Sequence, residues 1–304
     1  MRKFIVAMLL VAFAAAGALG QSQTAPTLRI VSEDGNNLPS ALMYGNTKVK
    51  PLRLRPGTNQ PITIADADFF VQQQYVDFLS RFPDQSGMSF WTGEITGCGS
   101  NAGCIDLKRV NVSAAFFLSG EFQNTGFFVY RLYRSSFGQR PVYQNFMPET
   151  RQVAKDVVVG VGPWEATLEA NKQAFLNAWV NRADFTSQYP SNMTPAAFVD
   201  KLIQTAGIAA SDINRDALVN ELTANNTQSG RASVLRKVAE NGAFTNAVKN
   251  QAFVLMEYFG YLRRDPDEVG YQFWLGKLNE HNGNFVQADM VKAFIISSEY
   301  QSRF

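Results

Sequence analysis

The sequence contains a single histidine, His281, and two cysteines, Cys98 and Cys104, among 304 residues. Triad hydrolases use histidine as the general base, so any such site would have to be built on His281. This histidine lies in a polar stretch, residues 279–284, that is typical of a turn between helices. We interpret it as a loop residue, and the sequence offers no candidate catalytic residue and predicts no cofactor.

The protein also lacks an excess of charge of either sign. It has 28 Lys and Arg against 26 Asp and Glu, and two of the basic residues, Arg2 and Lys3, lie in a segment that we expect to be removed. The remainder therefore carries 26 of each sign. Because proteins that bind nucleic acid neutralise phosphates with clustered basic residues, nucleic acid is not expected as a partner.

Long apolar runs are absent except at the N-terminus. Arg2 and Lys3 precede the uncharged residues 4–19, and this run ends with small residues at Ala18 and Gly20. This pattern is typical of a secretory signal peptide over residues 1–20. The alternative, an uncleaved anchor, needs a longer run, and no later stretch is long enough for a second span. We expect a secreted or periplasmic protein that can associate with the cell surface.

Two segments of the sequence repeat each other. Residues 70–95 and 253–278 are identical at eleven positions with a constant offset of 183, and both copies close on similar segments, residues 115–123 and 293–301. The repeated motif comprises Arg81, Pro83, Asp84, Gly87 and Trp91 in the first copy and Arg264, Pro266, Asp267, Gly270 and Trp274 in the second. Such repetition is the signature of tandem structural units.

The first copy is longer than the second by five residues, which coincide with a loop bounded by Cys98 and Cys104. In an oxidising compartment an isolated pair of this kind forms a disulfide. A metal site would need further ligands, and His281 is far away in the sequence. We predict a disulfide that closes the insertion, and no metal.

Helical spacing of apolar residues in both copies predicts an all-α fold of tandem three-helix-like units over residues 67–304. Two weaker copies lie between the clear ones, and an unrelated helical middle is the alternative. The predicted units are residues 68–125, 126–190, 194–247 and 251–304. Residues 21–66 predict a leader that is either strand-like or extended and docked on the helical body, and we prefer the docked form.

The repeated motif has an interpretation in local chemistry. We expect Asp84 and Asp267 to cap a helix start, accepting free backbone N–H groups. Arg81 and Arg264 should face the negative end of the preceding helix. The glycines should permit close approach of another helix, and the aromatic pairs Phe90–Trp91 and Phe273–Trp274 should supply most of each unit's core.

The string Tyr-x-x-x-Leu-x-Arg-x-Pro-Asp-x-x-Gly-x-x-Phe-Trp, with its later Ser-x-Glu-Phe/Tyr ending, resembles the bacterial family called domain of unknown function 4214. It is more loosely similar to the helical linker domain of phycobilisomes. The resemblance is strongest over residues 68–123 and 251–304 and is absent before residue 66. It implies an all-helical module of exported and surface-layer-like proteins, and it supplies no established activity and no catalytic residue.

Carboxylates provide the remaining candidate chemistry. Asp265, Asp267 and Gly270 imitate the opening of a calcium loop, but Val269 and Gly276 occupy positions where ligands are expected. We therefore favour a capped helix start over a calcium site. The neighbouring carboxylates Asp66 and Asp68, and likewise Asp212 and Asp216, are typical of helix starts and solvated faces.

These observations favour an exported, non-catalytic interaction or scaffold protein. Its partner would be a cell-envelope or surface protein or a polysaccharide. The alternative is an exported hydrolase or glycan-active enzyme whose carboxylates converge only in the fold.

Overall fold

The computed structural model describes residues 28–31, 41–44, 46–49 and 53–304, so the predicted signal peptide lies outside the described residues. Three short strands, β1 (Leu28–Val31), β2 (Ala41–Tyr44) and β3 (Thr47–Val49), form an antiparallel sheet in the order β1-β2-β3. Met43 lies opposite Arg29 on one side and Lys48 on the other. Of the two forms considered for the leader, strands are the one present.

The rest of the described protein is helical, which confirms the predicted all-α fold. The helices of the first half are α1 (Ala67–Leu79), α2 (Gln85–Thr96), α3 (Ala102–Leu118), α4 (Gly120–Asn124), α5 (Gly126–Phe137), α6 (Tyr143–Ala154), α7 (Trp164–Trp179) and α8 (Ala183–Gln188). Those of the second half are α9 (Pro195–Ala206), α10 (Arg215–Ala224), α11 (Gln228–Ala239), α12 (Gly242–Glu257), α13 (Glu268–Glu280), α14 (Met290–Ile296) and α15 (Ser298–Gln301). A 3₁₀ turn, Ala210–Asp212, precedes α10, and a π-helical turn, Tyr258–Leu262, follows α12.

One corner recurs four times along the sequence. In each case a helix ends and, one to three residues later, a residue with a non-helical backbone immediately precedes the next helix. These residues are Ser119, Arg182, Asn241 and Ser297. Three positions after each of them lies a buried aromatic residue: Phe122, Phe185, Phe244 and Tyr300. The same corner thus occurs once in each of the four predicted units, residues 68–125, 126–190, 194–247 and 251–304, which we call the first to fourth units. The division into these units stays a prediction.

The first and fourth units pack directly against each other. Phe78 and Tyr261, which are equivalent positions at the offset of 183, lie edge to face with their ring centroids 5.4 Å apart. A Cβ on Gly260 would stand 2.8 Å from the Phe78 ring, so glycine is required for this approach. Phe117 and Phe253 stack at 4.3 Å beside them. The two units therefore meet through equivalent positions of their first helices.

The expected contribution of the Phe-Trp pairs to the core is wrong. Phe90 and Phe273 are 58% and 54% exposed, and Trp91 and Trp274 are only partly buried. Adjacent residues of a helix point about 100° apart, because the helix has about 3.6 residues per turn. Only one member of each pair can therefore face inward, and the tryptophan does so.

Candidate functional site

The two motif aspartates lie at helix N-caps. Asp84 precedes α2, and its Oδ1 accepts the backbone N–H of Gly87 at 2.8 Å; Asp267 precedes α13 and accepts that of Gly270 at the same distance. Hydrogen bonds from the Ser86 hydroxyl and the Gly87 amide hold the pKa of Asp84 below its usual value. Each aspartate satisfies free donors in the first turn of its helix, as expected of a cap.

The two motif arginines bind glutamates instead of helix carbonyl ends, which corrects the role expected from the dipole. Arg81 Nε and Nη2 donate to the two carboxylate oxygens of Glu121 at 2.7 and 2.8 Å. Arg264 makes the same pair of bonds to Glu299 at 2.7 and 3.1 Å. Both glutamates belong to the Ser-x-Glu ending of the repeat, and this shared occurrence is the sequence signal that could have identified the pairs.

The motif glycines permit the close approach of another element, and the group that approaches is a tyrosine hydroxyl. A Cβ on Gly87 would overlap the hydroxyl of Tyr75, and one on Gly270 would overlap that of Tyr258. Each tyrosine also packs edge to face on a phenylalanine of a later helix in its unit, Tyr75 on Phe116 at 4.7 Å and Tyr258 on Phe294 at 5.0 Å.

The tryptophans complete the same cluster in both units. Trp91 lies 5.9 Å from Phe116, and Trp274 lies 5.8 Å from Phe294, measured between ring centroids. The structure thus brings the motif residues of each copy together around one corner of the fold. Their polar groups bond to other groups of the same unit, which is the arrangement of a structural motif.

The second unit builds a similar cluster from different positions. Arg182 donates to Glu149 at 2.7 Å, and its guanidinium lies 4.2 Å from the ring of Trp179 and 5.7 Å from that of Tyr133. Here the arginine occupies the corner and the glutamate lies on α6. Because both residues lie at other positions in the unit than the arginine and glutamate of the outer copies, the repeat pattern does not reveal them.

Cys98 and Cys104 form a disulfide, with their Cα atoms 5.6 Å apart. The bridge spans the turn between α2 and α3, where the side-chain oxygen of Asn101 accepts the backbone N–H of Cys104 at 3.0 Å. The two cysteines are linked to each other, so neither is a free thiol. The insertion is held to the first unit by this bond.

The carboxylates considered for chemistry are dispersed. Asp66 and Asp68 both bind Arg55, Asp216 binds Arg215, and His281 ends α13. Within residues 53–304 and the described strands, no group of three His, Cys, Asp or Glu side chains could hold a metal ion. Over the same residues, no helix has both the length and the apolar character needed to cross a membrane.

A groove of about 570 Å³ opens between the second and fourth units. One wall is the end of α5 with the loop 139–142, and the other is formed by α12, the turn 265–268 and α13. This volume lies in the range of on the order of 300–1,000 Å³ that is usual for ligand sites. The sequence did not predict it, because its walls are far apart in the sequence.

Several charged groups of the groove are paired with one another. Arg140 donates to Glu268 at 2.6 Å, and its guanidinium lies 3.9 Å from the ring of Tyr271. Gln272 donates to the other oxygen of Glu268 at 2.7 Å. These two bonds hold the pKa of Glu268 below its usual value. Asp265 accepts the backbone N–H of Tyr143 at 2.8 Å.

Comparison with known proteins concerns the C-terminal part of the sequence. Residues 236–304 match the model of a family described as Domain of unknown function (DUF4214). The match begins at the end of α11 and runs through α15, so it includes the second copy of the motif. Neither the curated proteins nor the solved structures include a match. The resemblance to this family that the motif predicts is therefore confirmed over the fourth unit.

Proposed function

We propose that this is an exported, non-catalytic interaction protein that binds a component of the cell envelope or surface. The observation that carries the proposal is the groove between the second and fourth units, which is concave, open and lined by side chains of both. The repeated motif supports it, because its Arg-Glu pairs and capping aspartates hold the corners that position the units. The motif is thus a scaffold, and the groove is the place for contact.

A hydrolase or glycan-active enzyme is the alternative, and the carboxylates do not favour it. A general acid needs a raised pKa at an accessible place. Glu257 has a raised pKa through desolvation, but its side chain is completely buried and does not line the groove. Glu268 does line the groove, and its bonds to Gln272 and Arg140 lower its pKa.

The test is capture from the cell envelope with a matched pair of variants. Mature protein is immobilised and incubated with detergent-solubilised envelope from the cells that produce it. Val142, an exposed groove residue, is changed to Trp to fill the groove, and Val161, exposed in a loop outside the groove, is changed to Trp as the control. We expect the wild type and Val161→Trp to retain the same component and Val142→Trp to lose it.

Two results contradict the proposal. One is that the wild type retains nothing more than beads carrying an unrelated protein. The other is that it releases soluble fragments from envelope glycans while Glu268→Gln does not, which would support the enzyme.

A further inference from the structure

The groove contains an arginine, Arg134, that forms no ion pair in the described part of the protein. Arg134 lies in the last turn of α5 and lines the groove. Its Nη1 donates to the Gly138 carbonyl at 2.7 Å. Its Nε is shielded from solvent and has no hydrogen-bond partner in the described structure. Because Nε is shielded, a ligand in the groove can reach only the part of the guanidinium that lines it.

The two acidic residues of the groove have hydrogen-bond donors other than Arg134. Glu268 accepts from Arg140 and Gln272, and Asp265 accepts the amide of Tyr143. In the described part of the protein, neither makes an ion pair with Arg134. An anionic ligand can therefore supply the ion-pair partner that Arg134 lacks. A carboxylate suits it, since the planar guanidinium fork matches the two oxygens of that group.

Apolar side chains line the same groove and indicate the rest of the ligand. They are Pro141, Val142, Leu255, Pro266 and Leu275. The aromatic ring of the groove, Tyr271, is covered by Arg140 and almost fully buried. A sugar ring would find no open aromatic face on it to stack against. A peptide, which can present a carboxylate next to an apolar side chain, fits both features.

We propose that the groove binds a peptide carboxylate, with Arg134 receiving the carboxylate and the apolar lining receiving an adjacent aliphatic side chain. This inference rests on the proposed interaction function and specifies a protein as the partner. The carboxylate can be the C-terminal one of the peptide or that of an Asp or Glu side chain, and both present the same group to Arg134.

The experiment is selection from a random peptide library on the immobilised mature protein, followed by fluorescence polarisation with the selected peptides. We expect the selected peptides to carry a carboxylate beside Leu, Ile, Val or Phe. Arg134→Gln should weaken binding by about tenfold or more, as expected for the loss of a charge-assisted bond. Val142→Glu, which adds a negative charge without touching the core, should weaken binding similarly. Arg215→Gln and Val161→Glu, both exposed and outside the groove, are the controls and should bind as the wild type does.

Amidation of the peptide C-terminus distinguishes the two sources. It abolishes binding if the terminal carboxylate is recognised and leaves binding unchanged if a side chain is. The proposal is overturned if no peptide is enriched, if the enriched peptides lack a carboxylate in the recognised position, or if both Arg134→Gln and Val142→Glu bind as the wild type does. Envelope capture that survives Arg134→Gln but is lost in Val142→Trp would remove this ligand class and leave the interaction function standing.

Discussion

Gln74 and Glu257 occupy equivalent positions in the first and fourth units, 183 residues apart, and both side chains are completely buried (0% exposed). Gln74 Oε1 accepts a hydrogen bond from the Tyr261 hydroxyl at 3.1 Å. Among the described residues, neither carboxylate oxygen of Glu257 has a partner. The residue of the first unit that is equivalent to Tyr261 is Phe78, which has no hydroxyl to offer. Gln74 therefore has a hydroxyl donor from the other unit, whereas Glu257 has none.

Glu257→Gln should make the protein more stable than the wild type, and this difference should grow as the pH rises. Desolvation raises the pKa of Glu257 well above its ordinary value, so the folded state keeps the proton that the unfolded protein releases above about pH 4.5. Its contribution to stability is therefore full below that pH and is lost as the pH rises towards the folded-state pKa. Glutamine does not titrate. Urea unfolding should show no advantage of the variant at about pH 4 and a gain of about 1–3 kcal/mol at about pH 8.

Gln74→Glu is the opposite change and should lose stability over the same pH range. If Glu257→Gln has a constant effect from acid to neutral pH, the carboxyl is not neutral in the fold.

Removal of the two motif arginines should have unequal effects. The Arg81 pair is buried, with the Glu121 side chain 5% exposed, whereas the Glu299 side chain in the Arg264 pair is 47% exposed. Arg81→Met strands a buried charge and should cost about 3 kcal/mol. Arg264→Met should cost less than about 1 kcal/mol, as for surface pairs. Chemical denaturation of both variants measures the difference. Equal losses of stability would show that the exposed fraction of the pair does not determine the size of the loss.

Gly87→Ala should destabilise the first unit, because the added methyl group meets the Tyr75 hydroxyl. A loss of about 1–3 kcal/mol is expected for such overpacking. Gly93 lies in the same helix with open space around it, so Gly93→Ala should be neutral or stabilising by up to about 1 kcal/mol. Tyr75→Phe removes the obstructing hydroxyl and should restore part of the loss in the double variant. Thermal melts of these variants beside the wild type test this, and a Gly87→Ala melt like that of wild type contradicts it.

Asp84→Ala and Asp267→Ala should each lower stability by about 0.5–2 kcal/mol, the usual effect of removing a helix cap. Asp→Asn keeps the acceptor oxygen and is the control for each position. Differential scanning calorimetry provides the comparison. A variant that melts like the wild type and yet loses ligand binding would show a functional aspartate and remove the scaffold interpretation of the motif.

The Cys98–Cys104 bridge should stabilise the first unit by about 2 kcal/mol, since it closes a short loop in the unfolded protein. Mass spectrometry of the non-reduced protein from its own compartment should find the two residues joined. The double Cys→Ala variant should melt earlier without losing its helical circular dichroism. Two free thiols in the native protein would contradict the assignment and weaken the case for export.

The features predicted correctly from the sequence depend on residues close together along it. Asp84 caps a donor only three positions away, and Cys98 meets Cys104 across one turn, so spacing alone specifies both. Which segments form helices likewise depends on local periodicity and turn residues. The role assigned to Arg81 was wrong because its partner, Glu121, comes from another helix. The side chain that approaches Gly87, that of Tyr75, also comes from another helix, and spacing within the motif reveals neither partner.

By itself the sequence determined the helical class, the repetition and the helix caps, because each follows from backbone preferences over a few residues. Only the tertiary structure decided that Trp91 faces inward while Phe90 faces solvent, and that Phe78 meets its counterpart Tyr261. It also decided the groove, where Arg134 and Leu275 converge from units far apart in the sequence. Such convergence depends on how whole helices pack, and the packing is set by all the buried surfaces together.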